Sequence, residues 1–330
     1  MKPLHVLTGF LGSGKTTLLQ QILVDPAYAD TAVVINEFGE VGLDHLLLEE
    51  VEEGVLLMRN GCVCCTIRSD LQNTLRDLQE KSDRRAIPPF SRIVLETTGL
   101  ADPAPVVSTL LAEPMLRHHF SVGNIICTVD AVSGEATLER QPESIKQIAV
   151  ADRIVVTKCD LADQESQDRL RGKLRAINGA ADIGRRDGSD ADAACWIAGG
   201  LADRERRAEE ILELLRRQTS ERPGHILESG ICSFCIVEPG PLDWTVFGIW
   251  LTALLHAHGE NVLRVKGILN VKGSLTPVVI HGVQHVVHPP MHLAKWPDEN
   301  RDSRLVFITR GISEERIRSS LDSLVAAAAR

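Results

Sequence analysis

The sequence predicts an α/β fold, a doubly wound and mainly parallel sheet, followed by a smaller α+β domain with an antiparallel sheet. Three observations carry this. Apolar, β-branched runs alternate with helical stretches through the first two thirds of the 330 residues. A glycine-rich loop falls directly between the first strand-like run and the first helical one. Beyond residue 223 the order changes to several strand-like runs with one helix among them and one at the end. Two domains are therefore drawn, 1–222 and 223–330, with the boundary at Pro223-Gly224.

The first strand covers 4–7 and the first helix 16–24. Between them Gly9, four positions that include Gly12 and Ser13, and then Gly14-Lys15-Thr16 satisfy the P-loop pattern, so the first domain is of the P-loop NTPase type. Glycines let the backbone turn its N–H groups inward, and the helix that follows adds its positive end. Lys15 would reach the β- and γ-phosphates of a nucleotide, and the Thr16 hydroxyl would ligate Mg²⁺.

A second strand, 31–35, runs into an acidic loop with Glu37, Glu40 and Asp44, where a γ-phosphate-sensing switch would sit. Those acids complete a metal site, position water or are solvated charges; the pattern leaves all three open. After a strand at 54–58, Asn60-Gly61 marks a turn, and Cys62, Cys64 and Cys65 follow on one short loop. A helix is expected at 68–81 and a strand at 92–96. That strand ends at Glu96, with Gly99 three residues on. An acid in this position holds the Mg²⁺ shell, and a glycine N–H beyond it touches the γ-phosphate.

Strands at 125–129, followed by Asp130, and at 153–156 continue the alternation, with helices at 164–177 and near 204–217. Thr157-Lys158-Cys159-Asp160 has the form of a guanine-reading loop. The Asp160 carboxylate would accept two N–H bonds from the guanine edge, and the Lys158 stem would lie along the ring. Thr157 stands where Asn is usual, so ATP stays open on these residues alone. The stretch 179–200 shows no periodicity to which an element can be assigned. In the second domain, strands are expected at 226–237, 262–271, 278–287 and 304–309, with helices at 243–258 and 313–329.

Composition sets limits on function. No apolar run approaches the ~18 residues that span a bilayer, and Met1-Lys2-Pro3 leads straight into the first strand. A cytoplasmic protein without membrane partner or secretory leader is expected. The net charge of −9 falls within 1–223, since 224–330 holds ten Lys/Arg and ten Asp/Glu. An acidic domain around a phosphate pocket argues for a single nucleotide with Mg²⁺ and against nucleic acid. Aromatic residues, 4% of the chain, leave little for base stacking.

The thiols of Cys62, Cys64 and Cys65 suit Zn²⁺ or Cu(I), and a tetrahedral zinc would need a fourth ligand from elsewhere. Their alternatives are the small buried hydrophobe that most cysteines are and a redox role, for which the neighbouring Cys64 and Cys65 are badly placed to form a relaxed disulfide. Cys232 and Cys235 lie in a strand-like run where i and i+3 face opposite sides, and read as core. Cys127, Cys159 and Cys195 are isolated and carry no assignment. His281, His285, His288 and His292 form either a weak metal-binding group or a polar loop around Pro289-Pro290.

Taken in order, GFLGSGKTT, NEFGEVGLD, GCVCCT, ETTGLADP and TKCD, with RVKGIL and IHGVQ further on, resemble the CobW-like metallochaperones, a family of P-loop GTPases. The resemblance covers nearly the whole chain, and the CxCC element is its most specific part. It implies Mg²⁺-dependent GTP hydrolysis to GDP, coupled to delivery of a transition metal to a client metalloprotein. Gly9 through Thr17 would hold phosphate and Mg²⁺, and Glu96 with Gly99 would form the second switch. Lys158 and Asp160 would read guanine, with Thr accepted at position 157. Cys62, Cys64 and Cys65 would hold the metal. Zinc comes first; cobalt for cobalamin synthesis, and iron or cobalt for nitrile hydratase, are cargoes of close relatives. Turnover is expected to be slow, since no arginine finger or water-positioning Gln is evident. Two other classes remain on the residues alone: a P-loop kinase or ATPase with structural cysteines, and a metal buffer using nucleotide as a structural ligand. No motif names the client, the fourth metal ligand or the oligomeric state, and a homo-oligomer stays open.

Overall fold

Buried runs rich in Val, Ile and Leu form the strands, and the leucine-spaced stretches between them form the helices that cover the sheet. A computed structural model describes residues 1–36, 47–52, 55–58, 63–66, 71–186, 196–197 and 230–328. The chain divides into two units, one of Met1–Arg171 with Ala181–Ala202 and the other of Gly172–Ala180 with Asp203–Arg330. The expected helix near 204–217 and the expected boundary at 222/223 lie outside the described residues.

The first unit contains β1 (Lys2–Gly9), α1 (Lys15–Val24), β2 (Thr31–Asn36), β3 (Leu47–Glu52), β4 (Val55–Met58), β5 (Val63–Thr66), α2 (Leu71–Asp83) and β6 (Arg92–Thr97). It continues with α3 (Ala104–Ala112), α4 (Pro114–His119), β7 (Phe120–Asp130), α5 (Gly134–Arg140), α6 (Pro142–Val150), β8 (Arg153–Thr157), the start of α7 (Gln164–Ile177, whose residues from Gly172 on belong to the other unit) and β9 (Asp182–Arg185). The sheet order is β3-β4-β5-β2-β6-β1-β7-β8-β9. From β5 to β9 every neighbouring pair is parallel, and β3 and β4 add an antiparallel edge. Leu18, Leu19, Ile22 and Leu23 of α1 pack on Leu7, Val33, Val94, Ile126 and Val155. Each such fully buried side chain contributes roughly 1.5–3 kcal/mol of transfer free energy, which fixes α1 and the loop before it against the sheet.

Several elements differ from the sequence reading. The acidic segment after β2 contains a strand, β3, antiparallel to β4. Its Leu-Leu-Glu-Glu-Val-Glu pattern is tolerated because an edge strand accommodates charge. Cys64 and Cys65 lie on strand β5 rather than on a loop, because Val63–Thr66 pairs with β2 on one side and β4 on the other. β7 begins at Phe120, earlier than 125, since its first residues pair with Lys2, Pro3 and Leu4. The helix expected at 68–81 is described from Leu71 and runs to Asp83, two residues further than expected. Within 179–200, β9 extends the sheet, and Trp196 is buried against Gly184, where a side chain would collide with the indole.

The second unit is built from β10 (Ile231–Glu238), α8 (Trp244–His258), β11 (Val262–Leu269), β12 (Val278–Val283), β13 (Val286–Val287), β14 (Met291–His292), β15 (Ser303–Arg310) and α9 (Glu314–Ala328). Its antiparallel order is β10-β15-β11-β12-β13, with β14 on β12. The run expected as one strand at 278–287 is two, turned at Gln284, whose φ is 49°. Asp243 starts α8, its carboxylate accepting the N–H groups of Thr245 at 2.9 Å and Val246 at 3.1 Å. Phe234, Phe247, Trp250, Phe307 and Leu321 fill the core between the sheet and the two helices, and Trp250 Nε1 donates to Ser320 Oγ of α9 at 2.9 Å. Cys232 packs on this side and Cys235 on the opposite one, with Ile268 and Val306. Burial pushes the Cys235 thiol up to about 11 and that of Cys127 up to about 12, so both stay protonated and inert. Among the described residues no helix is long and apolar enough to cross a membrane.

Candidate nucleotide site and cysteine strand

The carboxyl ends of β1, β6, β7 and β8 meet at one edge of the first sheet, and polar side chains from all four are joined there. Gly9, Gly12 and Gly14 take φ values of 142°, 73° and 88°, a region that favours glycine. At Gly9 a Cβ would lie 2.5 Å from the Thr128 carbonyl oxygen and collide with the Thr128 and Ser13 hydroxyls as well, so no side chain fits between the loop and β7. Ser13 Oγ is 2.7 Å from Thr128 Oγ1, and Thr157 Oγ1 donates to the Ser13 carbonyl at 2.7 Å. The loop is thus fastened to β7 and β8 by short-chain hydroxyls.

Lys15 is buried, and its ammonium donates to the carbonyls of Gly9 at 3.0 Å and Phe10 at 3.4 Å. Thr16 Oγ1 donates to Glu96 Oε1 at 2.7 Å, and Glu96 is 1% exposed. A hydroxyl and a carboxylate this close, beside a phosphate-type loop, form a set of hard oxygen donors that fits Mg²⁺. Thr17 is exposed on the first turn of α1. Gly99 is buried against the P-loop: a Cβ there would be 2.5 Å from Leu11 Cδ2 and 2.7 Å from Leu11 N. The loop after β6 therefore rests directly on the loop after β1. Gln147 of α6 holds it from behind, donating to the carbonyls of Gly99 at 3.1 Å and Ala101 at 2.9 Å.

At the other end, Lys158 has a left-handed backbone, φ 56°, and its ammonium reaches Gly12 O at 2.8 Å and Asp130 Oδ2 at 2.5 Å. Asp160 is exposed on the turn that follows. Asp130 and Gln147 carry no motif, and both escape a reading of spacing. Their signals are weaker: an acid at the end of a buried strand, and a buried glutamine among Ile145, Ile148 and Ala149 on a helix face.

The cysteine strand lies close to this edge. Across the two parallel ladders that join β5 to β2 and β2 to β6, Cys65 is in register with Val34 and then Leu95, and Thr66 with Ile35 and then Glu96. Two strand spacings amount to about 10 Å. Cys62, Glu37 and Glu40 lie outside the described residues, as does Cys195. Among the described residues no three His, Cys, Asp or Glu side chains are grouped to hold a metal. The four histidines of the second unit do not converge. His281 and His288 are buried and stacked at 4.3 Å, His285 Nδ1 bonds the Leu255 carbonyl at 2.9 Å, and His292 is exposed.

Residues 3–185 match the family CobW/HypB/UreG, nucleotide-binding domain, and residues 231–325 match the cobalamin synthesis protein cobW C-terminal domain. This chain belongs to the CobW family. Among its relatives is the zinc chaperone YjiA of Escherichia coli, 32% identical over 98% of this chain and 99% of that protein. The zinc chaperone CobW of Pseudomonas aeruginosa is 28% identical over 98% and 92%. A zinc-regulated GTPase metalloprotein activator of Schizosaccharomyces pombe is 34% identical over 55% of this chain and 44% of its own. The crystal structure of Zn(II)-bound YjiA GTPase superposes with a TM-score of 0.76 at 28% identity, covering 98% of this chain and 99% of that one. The doubly wound sheet followed by an antiparallel domain is thus shared with a CobW-family relative along nearly its full length.

Proposed function

We propose that this chain is a Mg²⁺-dependent GTP hydrolase that carries zinc at Cys62, Cys64 and Cys65 and passes it to a client metalloprotein. The observation that carries the reading is the register of β5, β2 and β6, which sets the strand of Cys64 and Cys65 two ladders from Glu96. The zinc-chaperone and GTPase names of near-full-length relatives support the cargo and the nucleotide.

In this reading the backbone of Gly9 through Lys15 and the Lys15 ammonium take the phosphates. The Thr16 hydroxyl and Glu96 hold Mg²⁺, which shields charge on the phosphates during hydrolysis. The Gly99 N–H senses the γ-phosphate, and Lys158 and Asp160 read the base. Glu37 and Glu40 are assigned to the switch that follows β2, where either can join the cysteines as a ligand.

Nucleotide can shift the metal site only through a difference in its affinity for two arrangements of these loops, and the effect must be reciprocal. The test is a chelator competition for zinc on the intact chain, with GDP or a non-hydrolysable GTP analogue bound. Zinc affinity is expected to differ at least about tenfold between the two states, roughly 1.4 kcal/mol of coupling. A Cys62/Cys64/Cys65→Ser variant is expected to lose the tight site and keep nucleotide binding. Equal zinc affinity in both nucleotide states would remove the coupling, and tight zinc in the serine variant would remove the site.

A further inference from the structure

We propose that Asp130 is a positioning residue for base recognition: it holds Lys158 stretched across the site as the floor on which a guanine lies. The inference rests on the nucleotide reading above and adds to it a residue that no motif marks.

Asp130 ends β7, the strand between the P-loop strand and the strand of the base loop, and it is in register with Thr157 at the end of β8. Its two oxygens do different things. Oδ1 accepts the backbone N–H groups of Val132 at 2.8 Å and Ser133 at 3.3 Å, which fixes the carboxylate plane. Oδ2 is left facing Lys158 Nζ at 2.5 Å. Burial raises the proton affinity of Asp130, but its hydrogen bonds from Lys158, Val132 and Ser133 outweigh this and hold the carboxyl below the usual range. The charge facing Lys158 is therefore present throughout the neutral range.

The second anchor of Lys158 is the Gly12 carbonyl at 2.8 Å. With its ammonium held at both, the methylene stem must span from the base loop to the P-loop. A stem fixed in this way is an apolar strip against which a purine ring can lie. A non-glycine residue at φ 56° is unfavourable in isolation and persists where its surroundings hold it. The ion pair supplies that restraint, and it also sets the start of the turn that carries Asp160. Asp130's own bonds, to Val132, Ser133 and Lys158, touch no residue of the P-loop, so the phosphate end should not feel their loss.

The test compares GDP, ADP and tripolyphosphate binding to the intact chain and to Asp130→Asn. Asparagine keeps an oxygen for Val132 and Ser133 but turns an N–H₂ group toward the ammonium. GDP affinity is expected to fall about tenfold and the GDP-to-ADP ratio with it, while tripolyphosphate binding stays within twofold. Lys158→Met, which keeps a stem without the charge, is expected to give the same loss, and the double variant no further one. If Asp130→Asn fails to melt cooperatively, Lys158→Met decides: a reduced ratio supports the inference and an unchanged ratio overturns it. An unchanged ratio in a folded Asp130→Asn, or an equal drop for tripolyphosphate, also overturns it. A parent protein without preference for GDP over ADP overturns the guanine reading itself, a result distinct from either.

Discussion

The two sheets treat polar side chains in opposite ways. In the parallel sheet, Ser13, Glu96, Thr128 and Thr157 come from four separate strand ends and yet lie at one edge, linked by bonds such as Thr16 to Glu96 and Thr157 to Ser13. In the antiparallel sheet, His281, His285, His288 and His292 are close in sequence and occupy three surroundings: a buried stack, a helix end and the exposed surface. Parallel strands all finish on the same side, so their following loops gather there. Antiparallel neighbours finish on opposite sides, and alternate residues face opposite layers. Convergence in space follows from topology, not from closeness along the chain.

The largest expected effect separates the two sheets outright. Lys15→Ala should weaken nucleotide binding at least about a hundredfold, since it removes the one P-loop cation. Replacing His281, His285, His288 and His292 together by Gln should change it less than about twofold. Calorimetric titration of both proteins checks this, and a large effect of the histidines would break the contrast.

A second prediction concerns a histidine inside the parallel sheet. His5 is buried in β1 and its Nδ1 accepts the Asn124 N–H at 3.1 Å. Burial, with the nearby Arg153 and Arg92 guanidinium groups, holds its pKa down to about 4 against the opposing pull of Asp152. The unfolded chain takes up this proton near pH 6.5 and the folded one only near 4. The stability due to neutral His5 is therefore complete above 6.5 and is lost as the pH falls toward 4, by about 3 kcal/mol. Urea midpoints across that window should fall for the natural protein and be flatter for His5→Gln.

The smallest effect tests the helix-end histidine. His285→Ala removes a hydrogen bond to the Leu255 carbonyl in the last turns of α8 and should cost about 1 kcal/mol in thermal or urea unfolding. Zinc binding and nucleotide affinity should not move.

The same contrast separates the features that are legible in the sequence from those that are not. The P-loop, Glu96 and Thr157–Asp160 were legible because their spacing is dictated by a strand end and a tight turn, a purely local requirement. Cys232 and Cys235 were legible from strand alternation. The edge strand β3 was not, because charge at a sheet edge looks like loop composition. Nor was β5, four residues long, whose strand character comes from the neighbours on either side. Asp130, Gln147 and Trp196 act through partners distant in sequence, such as Lys158, Gly99 and Gly184, and one residue type at one position does not announce them.

β5 also has a mechanical implication. Both of its margins are occupied, by β2 and by β4, so Cys64 and Cys65 are stitched into a continuous fabric of backbone hydrogen bonds. An ion seated on such a seam cannot be surrendered by peeling the strand away without tearing two rows of stitches.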